Sequence, residues 1–298
     1  MSEANWFFEF PEMNKDSLRS LKKAFDVAYR DFSRSYGDSI EAFFDPLLTF
    51  LVWFEDLFIG SPWWLVIAAL AGLAWFASRS WKIVAGTVIA FLAIGYFGMW
   101  EDAMATMAMI SVCTVLSVVV GLPIGIWMAR SNRAQALITP ILDVMQTMPS
   151  FVYLIPVVML LGIGKVPGLL AVVIYAIPPT IRLTNLGIRL VDREVLEAAD
   201  SFGASHWQRL FGVQIPLALP NIMAGINQTI MMALAMVVIA SMIGVKGLGQ
   251  PVLKAVTNQY FALGLFNGLA IVALAIVFDR VIQAYGRRLQ SFRQVPNG

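Results

Sequence analysis

Charged residues are scarce in this chain of 298 residues, in which Asp, Glu, Lys and Arg together make up 13%. Soluble domains carry about 25%, so this scarcity and a hydrophobic share of 59% exclude a soluble fold and indicate a membrane protein. Cys113 is the only cysteine, which excludes an intramolecular disulfide and a cysteine-cluster metal site. We interpret Cys113 as a small packing residue and His206, the only histidine, as a surface residue.

Catalytic and nucleotide-binding motifs are missing as well. A phosphate-binding loop needs Gly, four residues and then Gly-Lys-Ser/Thr, and the nearest string, residues 162–167, lacks the first glycine and the hydroxyl. The sequence contains no His-Glu-x-x-His and no Gly-x-Ser-x-Gly. We therefore predict a chain that is not an enzyme, with no catalytic residue, no metal ligand and no cofactor of its own.

Acidic residues are rare along the apolar part of the chain. Between residues 103 and 191 the one acidic residue is Asp143, and Asp279 follows the last charge-free run. A carrier driven by protons or sodium usually places carboxylates in the membrane. Their scarcity favours a transporter powered from outside this chain, with a substrate that is neutral or zwitterionic. No aromatic cage for a quaternary ammonium is visible either, so tight recognition is expected in a separate binding protein.

Long apolar runs supply the membrane spans. A helix needs about 20 apolar residues to cross the hydrocarbon core, and backbone groups without water must bond within the segment, so runs of this length indicate helices. We predict an all-α membrane protein with about seven transmembrane helices, from the charge-free runs 57–78, 83–100, 103–129, 144–164, 166–181, 210–245 and 255–278.

The N-terminal segment is different in character. Residues 14–35 have apolar side chains at helical spacing and many charges, which indicates an amphipathic helix. Residues 40–59 are more apolar but interrupted by acidic residues and Pro46, and we interpret them as a second, interfacial helix. An eighth span over 40–59 is the alternative, and it would place the N-terminus inside the cell.

Basic residues predict the topology, because cytoplasmic loops are rich in Lys and Arg. With the loop around Glu197 inside, twelve arginines and lysines of short loops and the C-terminal end fall on the inner side, against Lys165, Lys246 and Lys254 outside. The N-terminus is then extracytoplasmic and the C-terminus cytoplasmic. The basic residues of the N-terminal tail fit this poorly, but eleven acidic residues accompany them in the first 56.

A polar segment between apolar spans carries the most specific pattern. It reads Glu197-Ala198-Ala199, three residues, Gly203, nine residues and then Val213-Gln214-Ile215-Pro216. This resembles the cytoplasmic loop signature of permease subunits of bacterial ATP-binding-cassette importers, with Val213 and Ile215 as conservative departures. The stretches 121–127, 143–164 and 223–229 are similar to the glycine betaine/proline subfamily. The likeness covers residues 100 to 285 and does not include the first 60.

The resemblance implies a coupling helix that sits in a cleft of a nucleotide-hydrolysing subunit. It assigns this role to Glu197, Ala198, Ala199, Asp200, Gly203 and Ala204. From the residues themselves, Asp192 can cap a helix here, and Gly203 allows either a positive φ or a close backbone contact. An ordinary solvated connector is the alternative interpretation of the segment taken alone.

Together with the apolar runs, the resemblance predicts a division into four parts, of which only the core lies in the region of likeness. These are N-terminal helices at 1–60, two peripheral spans at 61–98, a five-helix permease core at 99–290 that contains the coupling loop 186–216, and a cytoplasmic tail at 291–298. Polar residues inside a membrane face a cavity or another helix, and Tyr153, Asn227 and Gln146 are candidates for the substrate pathway. Bonding between helices is the alternative for each of them. The glycine-rich segment 243–249 is interpreted as a flexible extracytoplasmic loop.

We expect a homodimeric permease in the bacterial inner membrane that imports betaine-like compatible solutes. Its expected partners are a second copy, two subunits that bind ATP and Mg²⁺, an extracytoplasmic binding protein and membrane lipid, without nucleic acid. One alternative is the same machine with choline, proline, trimethylamine oxide or histidine as its substrate. Another is a passive osmotic channel, although the charged rings or repeated filter typical of pores are not found.

Overall fold

The computed structural model describes residues 12–291, and side chains up to residue 289. This part of the chain is helical throughout and contains no strand, as the sequence predicts. The tail expected at 291–298 lies outside the described residues except for Ser291. The helices are α1 (Lys15–Gly60), α2 (Trp63–Ser78), α3 (Trp81–Tyr96), α4 (Trp100–Arg130), α5 (Asn132–Thr147), α6 (Leu154–Leu161), α7 (Lys165–Ala176), α8 (Pro178–Arg189), α9 (Arg193–Ser201), α10 (His206–Arg209), α11 (Ile215–Ala240), α12 (Gly249–Asn258) and α13 (Phe261–Ser291).

Small residues bring α4, α8 and α11 into close contact at the centre of the molecule. A Cβ atom at Gly125 would lie 2.7 Å from the carbonyl oxygen of Ile181, and one at Gly225 would lie 3.1 Å from that of Pro179. The hydroxyls of Thr180 and Thr229 form a buried hydrogen bond of 2.7 Å between α8 and α11. Close approach through small residues and bonds between polar side chains are the usual means of helix packing in membranes. Cys113 is fully buried in this core, as expected for a packing residue.

The spans differ in part from those predicted. Within residues 12–291, four helical stretches are long and apolar enough to cross a membrane, namely 100–130, 165–189, 206–243 and 261–289. The run 144–164, predicted as one span, is instead broken, because α5 and the segment 150–161 meet at 112°. Helices α1 and α2 form a second bent pair, also at 112°, and α3 is a shorter apolar helix. The total number of crossings, predicted as seven, stays a prediction.

Helix α1 is continuous over 46 residues where the sequence analysis expected two helices. Pro46 lies inside it without ending it. Polar contacts fasten α1 to the broken segment, since the Tyr29 hydroxyl donates to the carbonyl of Pro156 and Ser33 donates to that of Met159. Near its end, Glu55 pairs with Lys165 at 2.6 Å. These contacts attach the N-terminal helix to the core at two places, one around Tyr29 and Ser33 and the other at Glu55.

The segment 243–249, expected to be a flexible loop, is packed against the core. Val245 and Leu248 are 1% and 0% exposed, and the backbone N–H of Leu248 donates to the hydroxyl of Thr106 at 2.9 Å. Gly247 has φ +137°, and a Cβ atom there would lie 2.4 Å from the same hydroxyl. Its glycines therefore serve close packing against α4, and the expectation of flexibility was wrong.

Candidate functional site

Helix α9 forms the polar segment that the sequence pattern singled out. The carboxylate of Asp192 accepts from the backbone N–H of Glu194 at 3.0 Å, which caps the first turn as predicted. Nine residues follow in helical conformation, and none of them is buried. A helix this short is marginal on its own. A capped helix that buries no residue within its own chain can bury one of its faces against another protein.

The turn after α9 requires a glycine. Gly203 has φ +77°, in the region where a Cβ atom is disfavoured. Its N–H donates to the carbonyl of Asp200 at 2.9 Å, and the N–H of Ala204 donates to that of Ala199 at 3.1 Å. A Cβ atom at Gly203 would meet nothing within 4 Å. Within this chain, glycine is therefore needed for the backbone conformation and not for close packing.

The six expected coupling residues lie together on this helix and its turn. Ala199 and Ala204 are half-buried, whereas the other four are exposed: Glu197, Ala198, Asp200 and Gly203. Two nearby apolar side chains were not predicted to belong to the site: Phe202 is 93% exposed and Trp207 is 63% exposed. Val195 and Phe211 are exposed as well. Exposed large apolar side chains beside a polar helix favour an interaction site there, and the position of Phe202 inside the motif was the available signal.

Three contacts join α9 to α10, and α10 to α4 and to the turn before α11. Asp200 and Arg209 form an ion pair at 2.7 Å. The guanidinium of Arg130, at the end of α4, lies 5.3 Å from the ring centroid of Trp207. The same ring stacks on Phe211 with a centroid distance of 5.7 Å. A π-helical turn at 210–214 then leads into α11, a deviation that is frequent at functional sites.

The three pathway candidates are not brought together. Tyr153 is 6% exposed, and its hydroxyl donates to the carbonyl of Met145. Gln146 is exposed on α5. Asn227, on α11, donates to the carboxylate of Asp279 at 2.9 Å. Their role in the pathway stays a prediction, and Tyr153 has the surroundings of a packing residue.

Asn227 faces a cavity of about 540 Å³ between α8, α11 and α13. Asp279 also accepts from the side chain of Gln283 at 2.6 Å, while the side-chain oxygen of Asn227 is buried without a partner among the described residues. Arg287 lies at the same cavity. Asp279 therefore lies inside α13 and is bonded to a second helix, a contact that the sequence did not predict. The lining residues of this cavity offer amide groups and a guanidinium to a small polar molecule.

Comparison with known proteins agrees with this architecture. The family model described as binding-protein-dependent transport system inner membrane component matches residues 121–291. The glycine betaine/proline betaine transport system permease protein ProW of Escherichia coli (strain K12) is 51% identical over 238 residues, which are 80% of this chain and 67% of ProW. The glycine betaine/carnitine transport permease protein GbuB of Listeria monocytogenes serotype 1/2a (strain 10403S) is 47% identical over 80% of this chain and 85% of GbuB.

Solved structures show the same fold. An inward-facing conformation of the MetNI methionine ABC transporter matches with a TM-score of 0.58 and 19% identity, over 63% of this chain and 94% of that one. The family match and the two relatives confirm the resemblance inferred from the loop signature. The chain belongs to the family of binding-protein-dependent transport system inner membrane components, the permeases of ATP-binding-cassette importers.

Proposed function

We propose that this chain is the membrane-spanning subunit of an ATP-driven importer for betaine-like compatible solutes. The names of ProW and GbuB assign glycine betaine transport to relatives that are about half identical to this chain. The observation that carries the coupling part of the proposal is the exposed, capped helix α9 with Phe202 at its end, a surface that needs a partner.

ATP binding and hydrolysis take place in a separate subunit, with its Mg²⁺, because this sequence has no phosphate-binding loop. Helix α9 docks in a cleft of that subunit. When ATP closes two such subunits, the two α9 helices of a homodimer move together. Trp207, held by Arg130, and Asp200, held by Arg209, pass that movement to α4 and α11.

The remaining partners follow from the same family. A second copy of the chain completes the pathway, and an extracytoplasmic binding protein supplies the substrate. The cavity beside Asn227 then gives at most a weak site for a zwitterion, through the amide groups of Asn227, Gln228 and Gln283.

The proposed orientation places α9 on the cytoplasmic side of the inner membrane and the N-terminus outside. Single cysteines in a Cys113→Ala background test it by their reaction with a membrane-impermeant thiol reagent. A cysteine at Ser205 is expected to react only when the cytoplasmic side is accessible, and one at Ser2 from outside. Reaction of both from the same side would contradict this topology and support the eighth span over 40–59.

Uptake measurements test the function. The chain is reconstituted in vesicles with its own ATPase and binding protein, and the accumulation of radiolabelled glycine betaine is followed with ATP inside. We expect accumulation against a gradient that needs ATP and all three components. Preference for choline, proline, trimethylamine oxide or histidine would reject the betaine assignment, and equilibration without ATP would indicate a passive channel instead.

A further inference from the structure

A basic crevice lies where the α2–α3 turn meets the end of α13. Its first part is a cavity of about 520 Å³, lined by Ser78, Arg79, Ser80, Ile83, Ala284, Arg287 and Arg288. Three of these residues are arginines, and among the described lining residues none is acidic. Arg79, Lys82, Arg280 and Arg287 take part in none of the ion pairs found within residues 12–289. These four basic side chains therefore give the crevice a positive charge that no ion pair within residues 12–289 offsets.

The local backbone of α2 and α3 helps to form this pocket. Arg79 ends α2 in the left-handed conformation with φ +50°, which is uncommon for a residue with a side chain. Its N–H donates to the carbonyl of Trp75 at 2.8 Å, while the hydroxyl of Ser78 accepts from the N–H of Ser80 at 3.2 Å. The chain thus reverses within two residues. Arg288 donates to the carbonyl of Phe76, which joins α13 to the end of α2.

An apolar groove continues from this pocket. It has a volume of about 360 Å³ and runs between α3 and α13, with Lys82 and Arg280 among its lining residues. Its other walls are almost entirely apolar: Ile83, Gly86, Thr87, Ala90, Ala273, Ile276 and Val277. A Cβ atom at Gly86 would meet nothing within 4 Å, so the groove is open at this point.

The pocket and the groove form one continuous feature. Ile83 lines both of them. On α13, the lining residues Val277, Arg280, Ala284 and Arg287 follow at intervals of three and four, which places them on one face of the helix. That face is apolar at one end and basic at the other. A free phosphate would use only the basic end, whereas a phospholipid has an anionic headgroup and an acyl chain that fit both parts.

We propose that this crevice binds one anionic phospholipid, with its phosphate among Arg79, Arg287 and Lys82 and one acyl chain in the groove beside Gly86. Basic pockets between membrane helices are suited to such headgroups. In the proposed topology the site faces the cytoplasmic leaflet. The bound lipid fills the space between α3 and α13 and neutralises the arginines at their ends, which holds the α2–α3 pair against the core.

Native mass spectrometry of the delipidated protein, titrated with phosphatidylglycerol, tests the proposal. We expect one tightly bound phosphatidylglycerol per chain and much weaker binding of phosphatidylcholine. Arg79→Gln, Lys82→Gln and Arg287→Gln should each weaken the tight site about fivefold, which corresponds to about 1 kcal/mol per basic residue near an anionic lipid. Arg133→Gln, which removes an exposed basic residue outside the crevice, serves as the matched control and should change nothing.

The groove is tested separately with Gly86→Leu. The new side chain occupies the acyl site, and we expect phosphatidylglycerol to bind about tenfold more weakly, with helicity and elution volume unchanged. Gly72→Leu is the control, because Gly72 is also exposed on a helix with nothing within 4 Å of its Cβ position. Equal binding of phosphatidylcholine, or full retention of phosphatidylglycerol by the variants in the crevice, would overturn the site. Competition by glycerol 1-phosphate at the lipid's own affinity would show a free-phosphate site instead.

Discussion

Replacement of Gly203 by alanine is expected to weaken docking of the ATPase without unfolding the chain. Gly203 has φ +77°, and a Cβ atom there meets nothing within 4 Å, so the cost arises from the backbone conformation alone. For a residue with a Cβ atom, the left-handed conformation is less stable by roughly 1–2 kcal/mol. This free-energy difference lowers the population of the native turn by a factor of about 5–30. If α9 docks only with this turn formed, the affinity for the ATPase falls by the same factor.

The assay measures binding of fluorescently labelled ATPase to the permease in nanodiscs, together with uptake and ATP hydrolysis in vesicles. Asparagine tolerates the left-handed region better than other residues with a side chain do. The affinity of Gly203→Asn for the ATPase should therefore lie between that of the unchanged chain and that of Gly203→Ala. Gly203→Leu, which adds bulk as well as strain, should bind least. Gly212→Ala is the matched control, because Gly212 is equally open but has no positive φ. Unchanged binding and uptake in Gly203→Ala would refute the reasoning.

Three further predictions concern other contacts. Trp207→Ala removes a cation–π contact worth about 0.5–1 kcal/mol at an exposed site, and we expect fewer solute molecules imported per ATP hydrolysed with unchanged folded yield; an unchanged ratio would exclude this ring from coupling. Glu55→Gln leaves Lys165 without its charged partner and should lower the free energy of unfolding by about 3 kcal/mol. The thermal unfolding midpoint in detergent should fall accordingly, and an unchanged midpoint would show that other contacts hold α1. Asn227→Ala should give normal yield and reduced uptake at saturating loaded binding protein, and unchanged turnover per folded dimer would remove it from the pathway.

Local signals in the sequence predicted local structure well. The capping of α9 by Asp192 and the turn at Gly203 depend on residues within a few positions of each other, and the structure has both. The apolar runs predicted an all-helical membrane fold because hydropathy depends only on composition along the chain. Hydropathy contains no information on the direction of a helix axis, so the bend of 112° within the run 144–164 was not predicted. Pro149 and Gly162, which lie close to the ends of the two helices, were the available signals.

Contacts between distant residues could not be predicted. The bond from Asn227 to Asp279 joins residues 52 positions apart, and the ion pair of Glu55 and Lys165 joins residues 110 apart. Burial of Leu248 likewise depends on Thr106, on a helix far away in sequence. Periodicity and composition contain no information on which helix faces which, so the polar cavity and the packed segment 243–249 appear only in the folded chain.

The central claim is that α9 docks on the ATPase, and photo-cross-linking tests it most directly. A benzophenone amino acid replaces Phe202, which is 93% exposed, and the transporter is irradiated in vesicles that import glycine betaine. A second variant carries the probe at Val256, which is 74% exposed on α12 and lies on the opposite side in the proposed topology. The account predicts that the probe at 202 cross-links to the ATPase and that the probe at 256 does not. Active uptake with no ATPase adduct from position 202 would contradict it.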